Sequence, residues 1–309
     1  MNAFVFSFHM PLFFLISGYF FKPDRAKVWR NTKKLLLAYC WTVAAVIVLS
    51  ELITLTEVLT KGEDAFVLIK NPLKWIIAGL YGSGSRTDFL GLVLPSIGAV
   101  WFFLALAIGG GMLFIISKLQ QGYRQTIACI LLFLTGWLSA RLTWLPFSVQ
   151  AGMCATLFMF VGYRASMYKA LEKPKLFIPV SIAVWVIALY FSYTNNFMSI
   201  VKSSYPNPLI NVSGGICGTY LVVCLSRWLE KIQCEKLRDF LIFWGRNTLI
   251  VLCAHLTELN CLPWGRVKTL IDCFPISIIV VFSLKVLWAL LAILLVNKIQ
   301  RLRHKFLPA

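Results

Sequence analysis

Charged residues are scarce in this chain, and acidic residues are the scarcest of all. Only 14% of the 309 residues are charged, with 12 Asp and Glu against 30 Lys and Arg, whereas 59% are hydrophobic. The mean hydropathy is +0.79. Soluble domains carry about a quarter of charged residues. The composition therefore excludes an ordinary soluble domain and predicts a single all-α, polytopic membrane domain over residues 1–309.

The features of a cleaved export signal are also missing. No Lys or Arg precedes the first apolar stretch, and no small-residue cleavage pattern closes it before Lys22. We therefore expect this stretch to be retained as a membrane span. Stretches of about 17 to 25 mainly apolar residues can cross the hydrocarbon of a bilayer. They predict about nine transmembrane helices, at 3–21, 35–56, 97–117, 126–143, 147–163, 176–195, 208–226, 239–257 and 274–297.

The net charge of +18 does not indicate nucleic acid, because the basic residues alternate between the two sides of the predicted helices. Twenty of the 30 Lys and Arg fall on one side, within 22–34, 118–124, 164–175, 227–238 and 298–305. The positive-inside rule makes this side cytoplasmic. We expect a protein of the inner (plasma) membrane with a cytoplasmic C-terminus, an outside first residue, membrane lipid as a partner and no nucleic acid.

No Cys-x-x-Cys pair and no Cys/His cluster at zinc spacing occurs among the nine cysteines, so no metal site is predicted. Cys261 and Cys273 share a predicted outer loop, where they could either form a disulfide or remain free thiols. A glycine-rich phosphate loop is missing too. Gly109, Gly110 and Gly111 lie within an apolar stretch, where small residues favour close contact between helices.

The longest connection, 57–96, is predicted to face outside. Residues 73–81 could form a short interfacial or re-entrant helix that ends at the turn-forming run from Gly82 to Ser85. Long loops are often functional. This one is either a lid near an active site or a plain surface loop.

Few ionisable side chains fall within the predicted spans, and each is therefore a candidate for function. Lys285 either has a functional role, lining a polar cavity or binding an anion, or has a structural role, bonding to backbone carbonyls. Arg246 and His255 lie about 13 Å apart along one predicted helix, too far to contact the same substrate atom. Arg246 could instead snorkel to the interface, and His255 could bond a neighbouring helix. His9 precedes Pro11, which indicates either a buried polar site or a simple kink.

The densest basic cluster, from Lys22 to Lys34, directly follows the first predicted helix. One interpretation is a determinant of topology that also attracts anionic lipid. The other is a docking surface for a phosphorylated cytosolic cofactor, since Arg and Lys suit phosphate.

Four segments together resemble the membrane-bound acyltransferase 3 family, and within it the branch related to fucose 4-O-acetylases. The first, "FHMPLFFLISGYFF" at 8–21, is the most specific and is followed by the basic cluster. The others are "AVWFFLALAIGGGMLF" at 99–114, "LPFSVQAGMCATLFMFVGY" at 145–163 and "FWGRNTLIVLCAH" at 243–255. The resemblance implies transfer of an acyl group, usually acetyl from acetyl-CoA, to a hydroxyl of a surface polysaccharide, glycolipid or sugar precursor.

The resemblance also suggests which residues act. Ser17 and Gly18 match the family's Ser-Gly motif beside the active site, and His9 matches a branch-typical histidine. The predicted catalytic set is His9, Ser17, Gly18 and His255. The predicted set for binding acetyl-CoA is Arg25, Arg30, Arg246 and Lys285. Trp101 and Asn247 also match motif positions, with their individual roles left open.

The sequence departs from the family pattern at its start. Family members begin with a further helix that carries a basic residue and, often as Gly-His, the histidine usually treated as catalytic. No segment here matches that helix, so we expect an N-terminally incomplete domain, with about ten helices in a complete member. If the chain is complete, His9 is the substitute base.

Two other classes of function stay open at this point. The chain could be a truncated, non-catalytic relative that binds glycolipid or a partner. It could also be a small-solute transporter that uses Lys285 and Arg246, although no inverted repeat is seen. The oligomeric state is unknown from the sequence.

Overall fold

The computed structural model describes residues 2–61, 67–89, 92–170, 177–194, 197–231, 234–262, 264 and 274–306. Eleven α-helices lie within these ranges: α1 Asn2–Tyr19, α2 Arg25–Lys61, α3 Val67–Tyr81, α4 Trp101–Ser117, α5 Tyr123–Ser139, α6 Val149–Met167, α7 Ile178–Thr194, α8 Pro208–Glu230, α9 Glu235–Arg246, α10 Thr248–Cys261 and α11 Phe274–Phe306. A short antiparallel hairpin joins β1 Thr87–Phe89 to β2 Leu92–Leu94.

The prediction of a helical membrane protein is confirmed, but the number of spans is not. Within the described residues, five helical segments are long and apolar enough to cross a membrane: 25–60, 98–117, 146–167, 208–230 and 276–299. A sixth results if the bent pair α9 and α10 counts as one span. The helices α1 and α7 are apolar but shorter, so length alone does not qualify them.

The first helices differ from the prediction at their boundaries. The helix α1 includes Pro11, which has no backbone N–H to donate within it, so the expected local loss of helix bonding stays a prediction. The helix α2 begins at Arg25, ten residues before the predicted span, and the Asp24 carboxylate accepts from the backbone N–H of Ala26 at 3.1 Å. Most of the basic cluster is therefore helical and forms the first turns of α2.

The chain divides into two compact units. The first contains 1–39, 78–97 and 101–232. In its core α6 packs against α1, α4 and α5, while α8 packs against α1 and α7. Two glycines allow the closest approach: a Cβ on Gly18 would lie 1.8 Å from the carbonyl oxygen of Met159, and a Cβ on Gly162 would lie 2.0 Å from that of Leu15. Small residues on both helices therefore bring the α1 and α6 backbones into direct contact.

The end of the long connection is packed into this first unit. As predicted, a helix ends at the glycine-serine run, although α3 is longer than the expected 73–81. Gly82 has a φ of 69°, which favours glycine, and its carbonyl accepts from the Ser148 hydroxyl at 2.6 Å. A Cβ on Gly84 would lie 2.2 Å from the Trp101 indole. Residues 82–84 are therefore held by packing; a lid role for the connection stays a prediction.

The second unit contains 40–77, 98–100 and 233–309. The helices α10 and α11 run antiparallel, since the Trp288 indole donates to the carbonyl of Ala254 at 3.0 Å and Lys285 meets Glu258 one turn away. The helix α2 joins them through the Cys261 thiol, which lies 3.5 Å from the carbonyl oxygen of Val46.

The predicted single span at 239–257 is wrong as a continuous helix. The structure has α9 and α10 bent by 65° at Asn247, whose φ and ψ of −100° and 10° leave the helical region. The bend has identifiable hydrogen bonds. The Asn247 amide donates to the carbonyl of Phe243 at 2.9 Å, and the Thr248 hydroxyl donates to that of Gly245 at 2.7 Å. Both carbonyls belong to the last turn of α9, and that of Gly245 also accepts from the backbone N–H of Asn247.

The close contact between α1 and α6 predicts that alanine at Gly162 destabilises the protein, whereas alanine at a glycine outside this contact does not. We expect Gly162→Ala to lower the free energy of unfolding by about 1 to 3 kcal/mol, because the added methyl meets backbone that cannot move aside. Gly111→Ala in α4 meets nothing within 4 Å. It should raise stability by up to about 1 kcal/mol through helix propensity. Thermal unfolding of both variants in detergent checks this, and equal effects would contradict the assigned packing.

Candidate functional site

A cavity of about 180 Å³ in the first unit lies where α1 ends and α2 begins. One part of its wall is polar and basic, and the rest comes from Phe20 and Phe21, which follow α1, and from apolar residues of α2, α4 and α6. It is lined by Ser17, Phe20, Phe21, Lys22, Lys27, Val28, Asn31, Thr32, Leu35, Leu106, Ala107, Gly110 and Met159. Such a mixed lining suits a ligand with an anionic end and an apolar chain.

The two residues of the Ser-Gly motif have different surroundings. Ser17 lines the cavity, where its hydroxyl can donate and accept hydrogen bonds. Gly18 is at the contact with Met159, where any side chain would collide with the α6 backbone. The glycine is therefore explained by packing, and only the serine has direct access to a bound molecule.

The basic residues at the cavity are not those predicted from the resemblance. Lys22 and Lys27 line it, together with Asn31 and Thr32, whereas Arg25 and Arg30 are exposed and do not. The difference follows from the helix that this segment forms. Side chains on one helical face recur every three to four residues, so only part of the cluster can face the cavity.

His9 lies on α1 between two aromatic rings. Its ring centroid is 6.1 Å from that of Phe6 and 6.0 Å from that of Phe13, both edge on. Two residues further, Pro11 packs against Gly215 of α8, where a Cβ would lie 2.9 Å from the proline ring. The polar residues of this segment thus sit in an aromatic and tightly packed setting.

A cluster of three ionisable side chains occurs in the second unit. The Glu258 Oε1 atom is 2.8 Å from His255 Nδ1 and 2.7 Å from Lys285 Nζ. The Glu258 side chain is 1% exposed, that of Lys285 26% and that of His255 50%. The ammonium of Lys285 also lies 4.8 Å above the centre of the Trp264 ring. A buried carboxylate is thus flanked by one ammonium and one half-exposed imidazole.

Burial explains why these groups are together. A carboxylate removed from water is costly unless it is paired and hydrogen-bonded. Here an ammonium and an imidazole N–H can both donate to the same Glu258 oxygen. With Nδ1–H bound to Glu258, the Nε2 atom of His255 is the ring nitrogen able to accept a proton. Within the described residues, no donor bonds the second oxygen of Glu258.

Sequence reasoning found His255 and Lys285 but missed Glu258. A signal was present, since Glu258 is an acid within an apolar helix and follows His255 at i+3, a spacing that places both side chains on one helical face. The sequence alone suggested for Lys285 a polar cavity, an anion site or bonds to backbone carbonyls, and not the acidic partner 27 residues away that the structure has.

Arg246 ends α9 and is exposed, and the bend after it means that the axial separation expected from His255 on a straight helix does not apply. Asn247 stabilises that bend. Trp101 is buried beside Phe14, with ring centroids 6.4 Å apart, so packing explains it.

In the portion of the chain that the structure describes, no group of three or more His, Cys, Asp and Glu could hold a metal ion. Cys273 lies outside the described residues, so its pairing with Cys261 stays a prediction.

The Glu258 cluster generates a stability test. Lys285→Met should lower the free energy of unfolding by about 3 kcal/mol, because it leaves a buried carboxylate without its cation. Adding Glu258→Gln to Lys285→Met should restore much of the loss. Thermal unfolding of the two single variants and the double variant measures the coupling, with Leu287→Met on the same helix as the control. Additive effects would contradict the ion pair.

The family model described as an acyltransferase domain, that of the acyltransferase 3 family, matches residues 1–298. No curated protein and no solved structure matches the chain. The matched region includes every helix described above up to most of α11, with the cavity and the Glu258 cluster. This chain belongs to the acyltransferase 3 family of membrane acyltransferases.

Proposed function

We propose that this protein is an integral O-acyltransferase of the inner membrane that moves acetyl from acetyl-CoA to a hydroxyl of a cell-envelope polysaccharide, glycolipid or sugar precursor. Within the family we place it in the branch related to fucose 4-O-acetylases, with about nine spans in this chain and a cytoplasmic C-terminus. The observation that carries the proposal is the His255 imidazole bonded to the buried Glu258 carboxylate. A histidine held by an acid is a common arrangement for general base catalysis.

In this proposal the residues around His255 prepare an alcohol for attack. Nε2 of His255 takes the proton of the acceptor hydroxyl while the hydroxyl oxygen attacks the thioester carbonyl carbon. The carbon–sulfur bond of the tetrahedral intermediate then breaks, and the coenzyme A thiolate leaves and receives the proton from the imidazolium. Glu258 holds Nδ1–H, which sets the tautomer and stabilises the imidazolium, and is therefore a positioning residue.

The cavity at Ser17 supports the donor side of the proposal. Coenzyme A carries phosphates on one end and an extended acyl-pantetheine arm on the other. Lys22 and Lys27 supply positive charge for phosphate, and the apolar residues of α2 and α4 supply a wall for the arm. Ser17, at the end of α1, lines the same cavity and can donate a hydrogen bond to the arm.

The choice of base is tested by single substitutions. His255→Ala should lower acetyl transfer by about 100-fold or more, the usual contribution of a general base. Glu258→Gln should lower kcat while the KM for acetyl-CoA stays near its original value. Transfer is measured as alkali-labile acetyl on envelope glycans of cells that carry each change in their own copy of the protein. The values of kcat and KM come from initial rates of the purified protein at varied acetyl-CoA concentration. Leu259→Ala, at an exposed neighbour on α10, is the control.

Two outcomes would contradict this assignment. Loss of transfer in His9→Ala with normal transfer in His255→Ala would assign the base to His9. Equal ester-linked acetyl in cells with and without the protein would remove the acyltransferase proposal and leave the non-catalytic and transport alternatives.

The donor site has its own test. The double change Lys22→Gln/Lys27→Gln should raise the KM for acetyl-CoA about tenfold, equivalent to about 1.4 kcal/mol of binding, with kcat little changed. The pair Arg25→Gln/Arg30→Gln should have a smaller effect, because these side chains do not line the cavity. Lys33→Gln is the control, since its ammonium lies 5.1 Å over the Trp29 ring. A larger KM change for the arginine pair would place the phosphates outside the cavity.

A further inference from the structure

The helix α9 is set apart from the other helices by its composition and its surface. Its 12 residues include two acids and three bases, and it has no buried residue against the described part of the chain. At 100° per residue, Leu237, Phe240, Leu241 and Trp244 fall on one face. The other face carries Glu235, Arg238, Asp239 and Arg246, with Ile242 among them. The apolar side is left uncovered, with Phe240 58% exposed and Leu241 46% exposed.

The helix α9 would be unfavourable if it were surrounded entirely by water or entirely by hydrocarbon. Four charged side chains on one face are too costly for the bilayer centre. Four large apolar side chains on the other face are costly in water. A helix divided in this way, with Trp at its apolar side, is typical of the boundary between headgroups and acyl chains.

Counting along α10 and α11 places the bend at this boundary. Lys285 lies 13 residues before Lys298, the first basic residue of the C-terminal segment, or about 20 Å along a helix. The bond between Lys285 and Glu258 puts these two residues at the same level of the helix pair. Because the helices are antiparallel, moving 13 residues forward on α11 corresponds to moving 13 residues backward from Glu258. Thirteen residues before Glu258 is Gly245, next to the 65° bend. The chain thus changes direction where it reaches the level of the basic C-terminal segment.

From these observations we propose that α9 is an interfacial helix, which lies in the plane of the membrane on the side of the basic C-terminal segment and is covered by lipid. Its apolar face rests on the acyl chains, and its charged face meets headgroups and water. The bonds from Asn247 and Thr248 to carbonyls at the end of α9 hold the change of direction. This inference does not depend on the proposed reaction.

The apolar face holds the helix in place, and charge contributes little. Three cations and two acids leave α9 with a net charge of only +1. The electrostatic attraction of α9 to anionic lipid is therefore roughly that of a single Lys or Arg, and salt weakens it further. The depth of α9 should therefore be the same in neutral and in anionic bilayers.

The test measures depth residue by residue in the full chain. A dansyl-bearing amino acid is introduced by codon suppression at Leu241, at Arg238 or, as a spanning control, at Leu287 of α11, which is 51% exposed. This leaves the nine cysteines untouched. Each protein is reconstituted in phosphatidylcholine vesicles with or without phosphatidylglycerol. Quenching is then compared for lipids with a nitroxide near the headgroup, lipids with one near the chain end, and aqueous iodide.

At Leu241, the shallow nitroxide should quench about twofold more than the deep one, as expected at an interface. At Leu287 the order should reverse, and at Arg238 iodide should quench most. Three results would overturn the proposal: deep quenching at both α9 positions, which indicates a broken span; iodide quenching at both, which indicates a helix in water; or protection of Leu241 from all three quenchers, which indicates a protein partner. Recovery of each variant as a monodisperse species with the parent's thermal midpoint verifies that it has folded.

Discussion

Hydrocarbon offers no hydrogen-bond partners, so each polar group inside a membrane must find its partner within the protein. This constraint accounts for much of the described structure. Hydroxyls bond back to their own helices, as Thr156 does to the carbonyl of Gly152 at 2.8 Å. The same need selects the partners of Glu258, whose carboxylate lies between an ammonium and an imidazole. At the end of α9, the side chains of Asn247 and Thr248 bond carbonyls of the last turn, where the chain changes direction.

Close packing is the second consequence of a lipid environment. Because lipid tails are as apolar as leucine, burial drives helices together only weakly, and close backbone contact has to supply the attraction. Gly18 and Gly162 provide that contact between α1 and α6. Several residues that a motif alone would suggest as functional, including Gly18, Trp101 and Asn247, are explained by packing or by backbone bonding. The chemistry is left to fewer side chains.

These side chains form two groups, one in each compact unit. In the first unit, Ser17 shares a cavity with Lys22 and Lys27, and the lining combines positive charge with an apolar wall. In the second, Glu258 orients His255 and pairs with Lys285. A thioester donor with an anionic end and an alcohol acceptor would need these two kinds of environment, which is why acyl transfer is the reaction that we propose for this family member.

The sequence by itself determined the membrane class, the family and most helices. The length of an apolar segment decides whether it can enter the bilayer, and the order of the motifs identifies the family; both are properties of the chain before it folds. It also identified Ser17, His255 and Lys285 as residues to consider. Only the tertiary structure decided which cations face the cavity, that Glu258 joins His255 to Lys285, and that α9 turns away from α10. The physical reason is that a lone acid, a basic cluster or an apolar run has no partner until helices distant in sequence pack together. The choice of partner then follows from the high cost of leaving a charge or a carbonyl unpaired in lipid.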